Sequence, residues 1–278
     1  MAIPRMILDC ASLPGVRAVP IWLFDQRFRR WKKRNPQGSF AQFYVADAER
    51  KLRKGRHHST LGTRGWATKG TSDVEWDSTS FARRGLVNWS QIVALGLQPD
   101  MHCVDFGCGS LRLGQHAIRY LAPSNYWGVD LTDSFIHAGL SLLPPDLIAS
   151  KKPRFGVIGD VLLDEIRSWE PDFIFANAVL QHVPPAELPA FFRRIAAMTT
   201  SSTRAYVLFV SASRVRRIKT VSWAYPPELL EGEARAAVPG AAVRTLAVED
   251  AYGQIAGVNR KILCIEGLGR SAGIVNLI

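Results

Sequence analysis

The sequence predicts an α/β protein: a doubly wound, seven-stranded, mostly parallel sheet with an antiparallel edge hairpin, preceded by a basic helical extension. Three observations carry this. From residue 102 onward, short apolar runs alternate with stretches of helical periodicity, the pattern of a parallel sheet covered on both faces. The last two apolar runs, 242–248 and 260–268, have no full helix between them, so they pair antiparallel at the edge. The first run ends in a glycine-rich turn, Gly107-Cys108-Gly109, at the strand end where such a sheet binds its ligand.

The elements follow in order. Residues 1–20 are interrupted by proline and show no period. Ile21, Phe24, Phe28 and Trp31 recur at helical spacing among arginines and lysines, and Asn35-Pro36 ends that helix. A second basic helix spans 40–54 and stops at Gly55. Residues 56–73 are rich in Gly and Thr and read as a loop. A helix over 81–95 closes at Gly96 and Pro99. Strands then fall at 102–107, 125–130, 154–160, 172–179 and 204–212. The helices between them lie at 111–121, 133–143, 162–169 and 185–198, and another at 226–238 precedes the final pair. The chain divides into residues 1–80, a basic and mainly helical arm or cap, and residues 81–278, the sheet domain.

Charge follows the same division. Of 35 Lys and Arg and 24 Asp and Glu, residues 1–70 hold 15 and 4, so the whole excess of +11 lies in the arm. Residues 21–56 are therefore the candidate contact for a nucleic acid or an anionic membrane surface. No apolar run reaches the roughly 18 residues of a membrane span. Asp9 and two prolines stand where a signal peptide needs an unbroken apolar core. The four cysteines are scattered without a C-x-x-C pair. Neither a zinc site nor a disulfide framework is indicated, and a reduced, cytoplasmic setting is expected.

The turn at 107–109 narrows the ligand. A dinucleotide fingerprint, G-x-G-x-x-G, requires a third glycine at 112, where the chain has Arg112; Gly114 comes two places late. Asp105 repels a pyrophosphate and attracts a cation. A ligand with an ammonium and a sulfonium, S-adenosyl-L-methionine, suits it, and the helix expected near Leu111 offers free N–H groups beside it.

VDFGCGSLRLG at 104–114, followed by YWGVDL at 126–131, resembles the cofactor motifs of class I S-adenosylmethionine-dependent methyltransferases of the bacterial small-molecule type. The resemblance covers about residues 86–270 and implies a Rossmann-like domain. It implies that Gly107, Cys108 and Gly109 form the turn against the methionine part and that Asp105 holds its ammonium. Asp130 would accept from the ribose hydroxyls and Leu131 would flank the adenine. Asp160 and the Val161 backbone would meet the adenine amino group. Asn177 and Ala178 would approach the methionine end from the opposite side, with Leu180 and His182 toward the transfer site. Arg112 reads equally as a cofactor contact or as the partner of a surface acid.

Methyl transfer to a hydroxyl needs a base, and histidine is the natural one near neutral pH. His182, just beyond the fourth strand, is the first candidate, its other reading being a structural residue of the Gln-His-Val-Pro-Pro segment. His58, with His57 in the Gly-rich loop, is the second, if that loop folds over the site. The fourth-strand tail reads Asn-Ala-Val-Leu, not the acid- or amide-Pro-Pro-aromatic tail of enzymes that methylate base amines and glutamine. The expected function is methylation at O or N of a small metabolite or glycan. Two rivals stay open: an RNA methyltransferase guided by the basic arm, and a non-catalytic protein that keeps the cofactor fold for binding or assembly.

Overall fold

The computed structural model describes residues 18–53, 80–248 and 259–267. Among the described residues the arm holds two helices, α1 (Ala18–Arg34) and α2 (Phe40–Arg53). Pro36 cannot continue α1, and the Asn35 side chain donates to the Trp31 carbonyl at its end. Ser39 and Gln42 start α2 by a reciprocal pair of bonds. The Ser39 hydroxyl accepts from the Gln42 N–H at 3.1 Å, and the Gln42 side chain accepts from the Ser39 N–H at 2.8 Å. This capping box satisfies donors that a helix start leaves open.

The sheet domain begins with α3 (Ser80–Ala94) and alternates through β1 (Cys103–Phe106), α4 (Gly114–Tyr120), β2 (Tyr126–Asp130), α5 (Asp133–Leu140), α6 (Pro145–Lys151) and β3 (Arg154–Val157). It continues with α7 (Asp160–Ser168), β4 (Phe173–Ala176), two 3₁₀ turns at Leu180–His182 and Pro185–Glu187, α8 (Leu188–Met198) and β5 (Arg204–Ser211). A two-stranded hairpin, β6 (Arg216–Lys219) and β7 (Ser222–Ala224), precedes α9 (Pro227–Ala237), β8 (Ala242–Ala247) and β9 (Asn259–Glu266). The seven-stranded sheet runs β3-β2-β1-β4-β5-β9-β8. β9 is inserted antiparallel between β5 and β8, and all other pairings are parallel.

Both faces of the central strands are apolar, as a doubly covered sheet requires. Val104, Phe106, Ile174 and Ala176 join one core with α7, α8 and α9, while Cys103, Phe173 and Phe175 join the other with α3 and α4. Strand order reverses between β1 and β4, so their carboxyl ends diverge into a crevice.

Four local expectations change. Helix α4 starts at Gly114 rather than Leu111, because Leu111 takes a left-handed conformation (φ 60°) and the chain makes a further turn first. The second of two prolines, Pro145, opens α6 at its first position, where a missing N–H costs nothing. The β6–β7 hairpin fills a region that carried no pattern. β3 ends at Val157, so residues 158–160 are not strand; Asp160 is the first residue of α7.

The arm packs onto the domain through aromatic rings. Phe24, Phe40 and Phe43 are buried in the first core, with Phe28 and Trp31 against them. Phe40 meets the hairpin residue Trp223 edge to face at 5.3 Å. Arg217 of the same hairpin pairs with Asp25 at 2.8 Å and lies over the Phe24 and Trp223 rings. Asp47, buried in α2, gathers Arg27, Arg50 and Lys51 around its carboxylate, so part of the arm's charge is spent on its own architecture. Phe40→Ala should lower stability by about 3–5 kcal/mol, read as a fall in the urea midpoint of the full chain. An unchanged midpoint would mean that the arm is not part of the folded core.

Candidate functional site

The site begins with the turn after β1. Gly107 (φ 83°) and Gly109 (φ 56°) both take conformations that side chains disfavour. At Gly107 a Cβ would also fall 2.3 Å from a methyl of Val179, so the residue after β4 packs directly on the turn. The N–H groups of Gly107 and Cys108 both donate to the Val129 carbonyl of β2, at 2.7 and 3.0 Å. The Gly109 N–H donates to one oxygen of Asp130 at 2.7 Å, and the Leu131 N–H to the other at 2.7 Å. These three turn N–H groups are thus bonded within the protein, so they do not form the anion cradle that a pyrophosphate needs.

What faces the crevice instead is carboxylate. Asp105 is 2% exposed and Asp130 is 8% exposed. Burial pushes the Asp105 carboxyl up to about 7, against the Tyr126 hydroxyl that donates to it at 2.9 Å, and the neighbouring Asp130 pushes it the same way. Burial raises Asp130 to about 6, opposed by the Gly109 and Leu131 N–H groups. Among the described residues neither acid makes an ion pair. Burial also holds the Cys108 thiol well above its ordinary range, so it is an unreactive packing group.

Asp105 and Asp130 border a cavity of about 280 Å³ that also receives Leu131, Ile158, Asn177 and His182. Ala178, at the tip of β4, is held at φ 60°, a conformation that costs an L-residue roughly 1–2 kcal/mol. The Nδ2 of Asn177 is buried without a hydrogen-bond partner. His182 lies in the 3₁₀ turn that follows. Its Nδ1 is 2.6 Å from the Val221 carbonyl of the hairpin turn. A carbonyl only accepts, so Nδ1 carries the proton and Nε2 keeps a lone pair. Gln181 Nε2 lies 3.3 Å from that nitrogen. Burial lowers the His182 pKa, the bond to Val221 opposes this, and the charge on Lys219 lowers it further.

The arm supplies one wall. Ala41 and Tyr44 of α2 line the cavity, and the Tyr44 ring stacks on His182 with centroids 5.8 Å apart. Glu187 accepts from the N–H groups of Phe40 and Ala41 and also lines the cavity. Glu49 accepts from the Thr132 hydroxyl at 3.0 Å, tying the far end of α2 beside β2.

The structure brings Asp105, Gly107, Cys108, Gly109, Asp130, Leu131, Asn177, Ala178 and His182 around this one cavity. Asp160 and Val161 are not among its lining residues. Both are exposed, Val161 by 75%, because β3 has ended and α7 carries them outward. Ile158, whose N–H donates to the Asp130 carbonyl, lines the cavity in that region instead. Leu180 is fully buried in the core rather than facing the site. The expected donors of a helix at Leu111 are replaced by the turn described above. His57 and His58 lie outside the described residues. Sequence reasoning missed Ala41, Tyr44, Phe135, Ile158 and Glu187. For the first two a signal existed: Ala41, Tyr44 and Ala48 share one helical face.

No protein-family model matches the sequence, and no curated protein is similar to it in sequence. Solved structures are similar to it in fold. Magnesium protoporphyrin IX methyltransferase from Synechocystis PCC 6803, with S-adenosylmethionine bound, superposes with a TM-score of 0.50 at 16% identity, over 74% of this chain and 91% of its own. Its complex with S-adenosylhomocysteine gives 0.51, also at 16% identity, over 75% and 95%. The cyclase SpnF gives 0.52 at 13% identity, over 72% and 85%. Strand order, the antiparallel insertion of β9 and these superpositions agree: the chain has the fold of the class I S-adenosylmethionine-dependent methyltransferases.

Proposed function

We propose that the chain is an S-adenosylmethionine-dependent methyltransferase acting at O or N of a small molecule. One observation carries the reading: two buried carboxylates meet in a single cavity, and neither makes an ion pair among the described residues. Unpaired buried charge is costly, and a cationic ligand with hydroxyls relieves it. The residues present fit S-adenosylmethionine on that ground, and on the unpartnered Asn177 Nδ2. When bound, that cofactor supplies a methyl group on a sulfonium.

The chain's own residues divide the remaining work. Asp105 holds the ammonium. Asp130 uses two lone pairs on Gly109 and Leu131 and has two left for ribose hydroxyls. Leu131 and Ile158 flank the adenine, the latter in the place expected for Asp160 and Val161. Gly107 leaves the turn bare beneath the methionine part. His182 Nε2, neutral at pH 7 and fixed by Val221 and Tyr44, accepts the proton of an acceptor hydroxyl. An amine acceptor with a free lone pair does not require it. The docking of α2 over the cavity favours the arm as a cap. The RNA-guided and scaffold readings are tested by the same measurements, as RNA affinity that falls steeply with salt and as cofactor binding without turnover.

Asp130→Ala should weaken S-adenosylhomocysteine binding by about tenfold or more, the loss of a charge-assisted pair of bonds, while the thermal midpoint shows that the chain still folds. Calorimetric titration checks this, and equal affinity would remove the acid from the ribose.

Cofactor affinity should fall with acid. Protons compete with the bound cation, so affinity is full above pH 7 and declines as pH drops through about 7 and then about 6. The unliganded chain should show the opposite sign: stability contributed by these two raised carboxyls is present below pH 4 and is lost as pH rises through 6 to 7. Binding titrations and urea melts from pH 5 to 8 read both slopes, and Asp105→Asn should flatten each.

With labelled cofactor and an extract containing the acceptor, His182→Ala should slow transfer by about 100- to 10,000-fold if the acceptor is a hydroxyl. Cofactor affinity should stay unchanged. Undiminished turnover removes His182 as the base.

A further inference from the structure

We propose that the outward face of α1, continued by the exposed end of the β6–β7 hairpin, docks on an anionic lipid membrane. This goes beyond the methyl-transfer reading and does not depend on it.

Helix α1 has two faces. Phe24, Phe28 and Trp31, at i, i+4 and i+7, share one side, and their rings pack against Phe40 and Phe43 of α2. The opposite side carries Trp22, Arg29, Arg30 and Lys33, at i, i+7, i+8 and i+11, with Leu23 and Arg34 along its border. All six are exposed, Trp22 by 59% and Leu23 by 51%. The inner side already supplies the packing that holds the arm to the domain, so the outward pair adds nothing to the fold. Large apolar side chains left adjacent in water carry a cost that burial against a partner removes.

Charge indicates the partner. Arg27, Arg50 and Lys51 gather on Asp47, and Arg217 pairs with Asp25. Arg29, Arg30, Lys33 and Arg34 make no ion pair among the described residues. Four cations within two helical turns repel one another, and a surface of opposite sign offsets that repulsion. The hairpin extends the pattern. The Arg217–Asp25 pair sets it beside α1, and its leading residues Arg214, Val215 and Arg216 are exposed. Here too an apolar side chain stands between cations.

This mixture favours lipid over nucleic acid. Leu23 and Val215 offer a base no stacking plane and a phosphate no donor, but both gain from burial among acyl chains. Tryptophan, apolar with one N–H, settles at headgroup level. Arginine and lysine reach lipid phosphates while their methylene stems stay in the apolar layer. No helix among the described residues is long and apolar enough to cross a membrane, so the contact is peripheral. Helix α2, on the inner side of α1, carries Ala41 and Tyr44 to the cavity. The docking face and one cavity wall thus belong to a single packed pair of helices.

The test is sedimentation of the full chain with phosphatidylcholine vesicles, with and without phosphatidylglycerol. Binding should require phosphatidylglycerol and should fall as salt rises. Replacing Arg29, Arg30 and Lys33 together by Gln should weaken it by about fivefold per cation. Trp22→Ser combined with Leu23→Ser should weaken it by about tenfold or more. Both variants should keep the parent's thermal midpoint and S-adenosylhomocysteine affinity. Brominated acyl chains should quench the chain's fluorescence, and Trp22→Phe should abolish most of that quenching. Arg167→Gln, exposed in the last turn of α7, should bind vesicles as the parent does. The proposal is overturned if phosphatidylglycerol adds no binding, or if the charge and apolar variants bind as well as the parent. A single-stranded RNA that binds the parent but not the charge variant, with no vesicle binding by either, also overturns it and assigns the face to nucleic acid.

Discussion

The carboxylate of Asp130 is the pivot of the molecule's chemistry. One oxygen takes the Gly109 N–H and the other takes the Leu131 N–H, so the tip of β2 and the turn after β1 are held as one piece. The Val129 carbonyl completes the attachment by accepting from Gly107 and Cys108. This use of the turn donors has a consequence for ligand choice. The turn presents acceptors rather than donors to the crevice, and Asp105 adds a second acid beside the first. A fold that elsewhere cradles phosphates is thereby turned toward cations.

The arm reads differently once it is seen in place. Its aromatic stripe is consumed in packing within the arm and against the hairpin, and its buried acid, Asp47, is surrounded by three of its own cations. What reaches the site is a short stretch of α2, Ala41 and Tyr44. Tyr44 stacks on the imidazole that Val221 orients from the other side. The candidate base is thus positioned by the arm and by the hairpin. A small displacement of either element would misplace Nε2 by the ångström or so that oriented chemistry does not tolerate.

The fold was largely legible. Alternating strands and helices, the glycine turn and the closing antiparallel pair are local patterns, and each reports a backbone requirement that tertiary packing did not override. Legibility failed at element ends. Asp160 looked like a strand-terminal acid because RFGVIGD is apolar almost to its last residue, yet β3 stops at Val157 and α7 takes the acid as its first residue. An acid in a helix's first turn interacts favourably with the backbone dipole, so the same residue suits either position, and pattern alone does not choose. The helix expected at Leu111 failed for a related reason: nothing in SLRLG announces a left-handed leucine.

The sequence by itself determined the order of the sheet's elements, the glycine turn, and the two acids at neighbouring strand tips, because these depend on spacing along one chain. Only the tertiary structure decided which side chains share a cavity. Tyr44, Asp105 and His182 lie on separate elements and have no common period. Their meeting depends on how those elements pack, through contacts between residues far apart in the chain that leave no local trace.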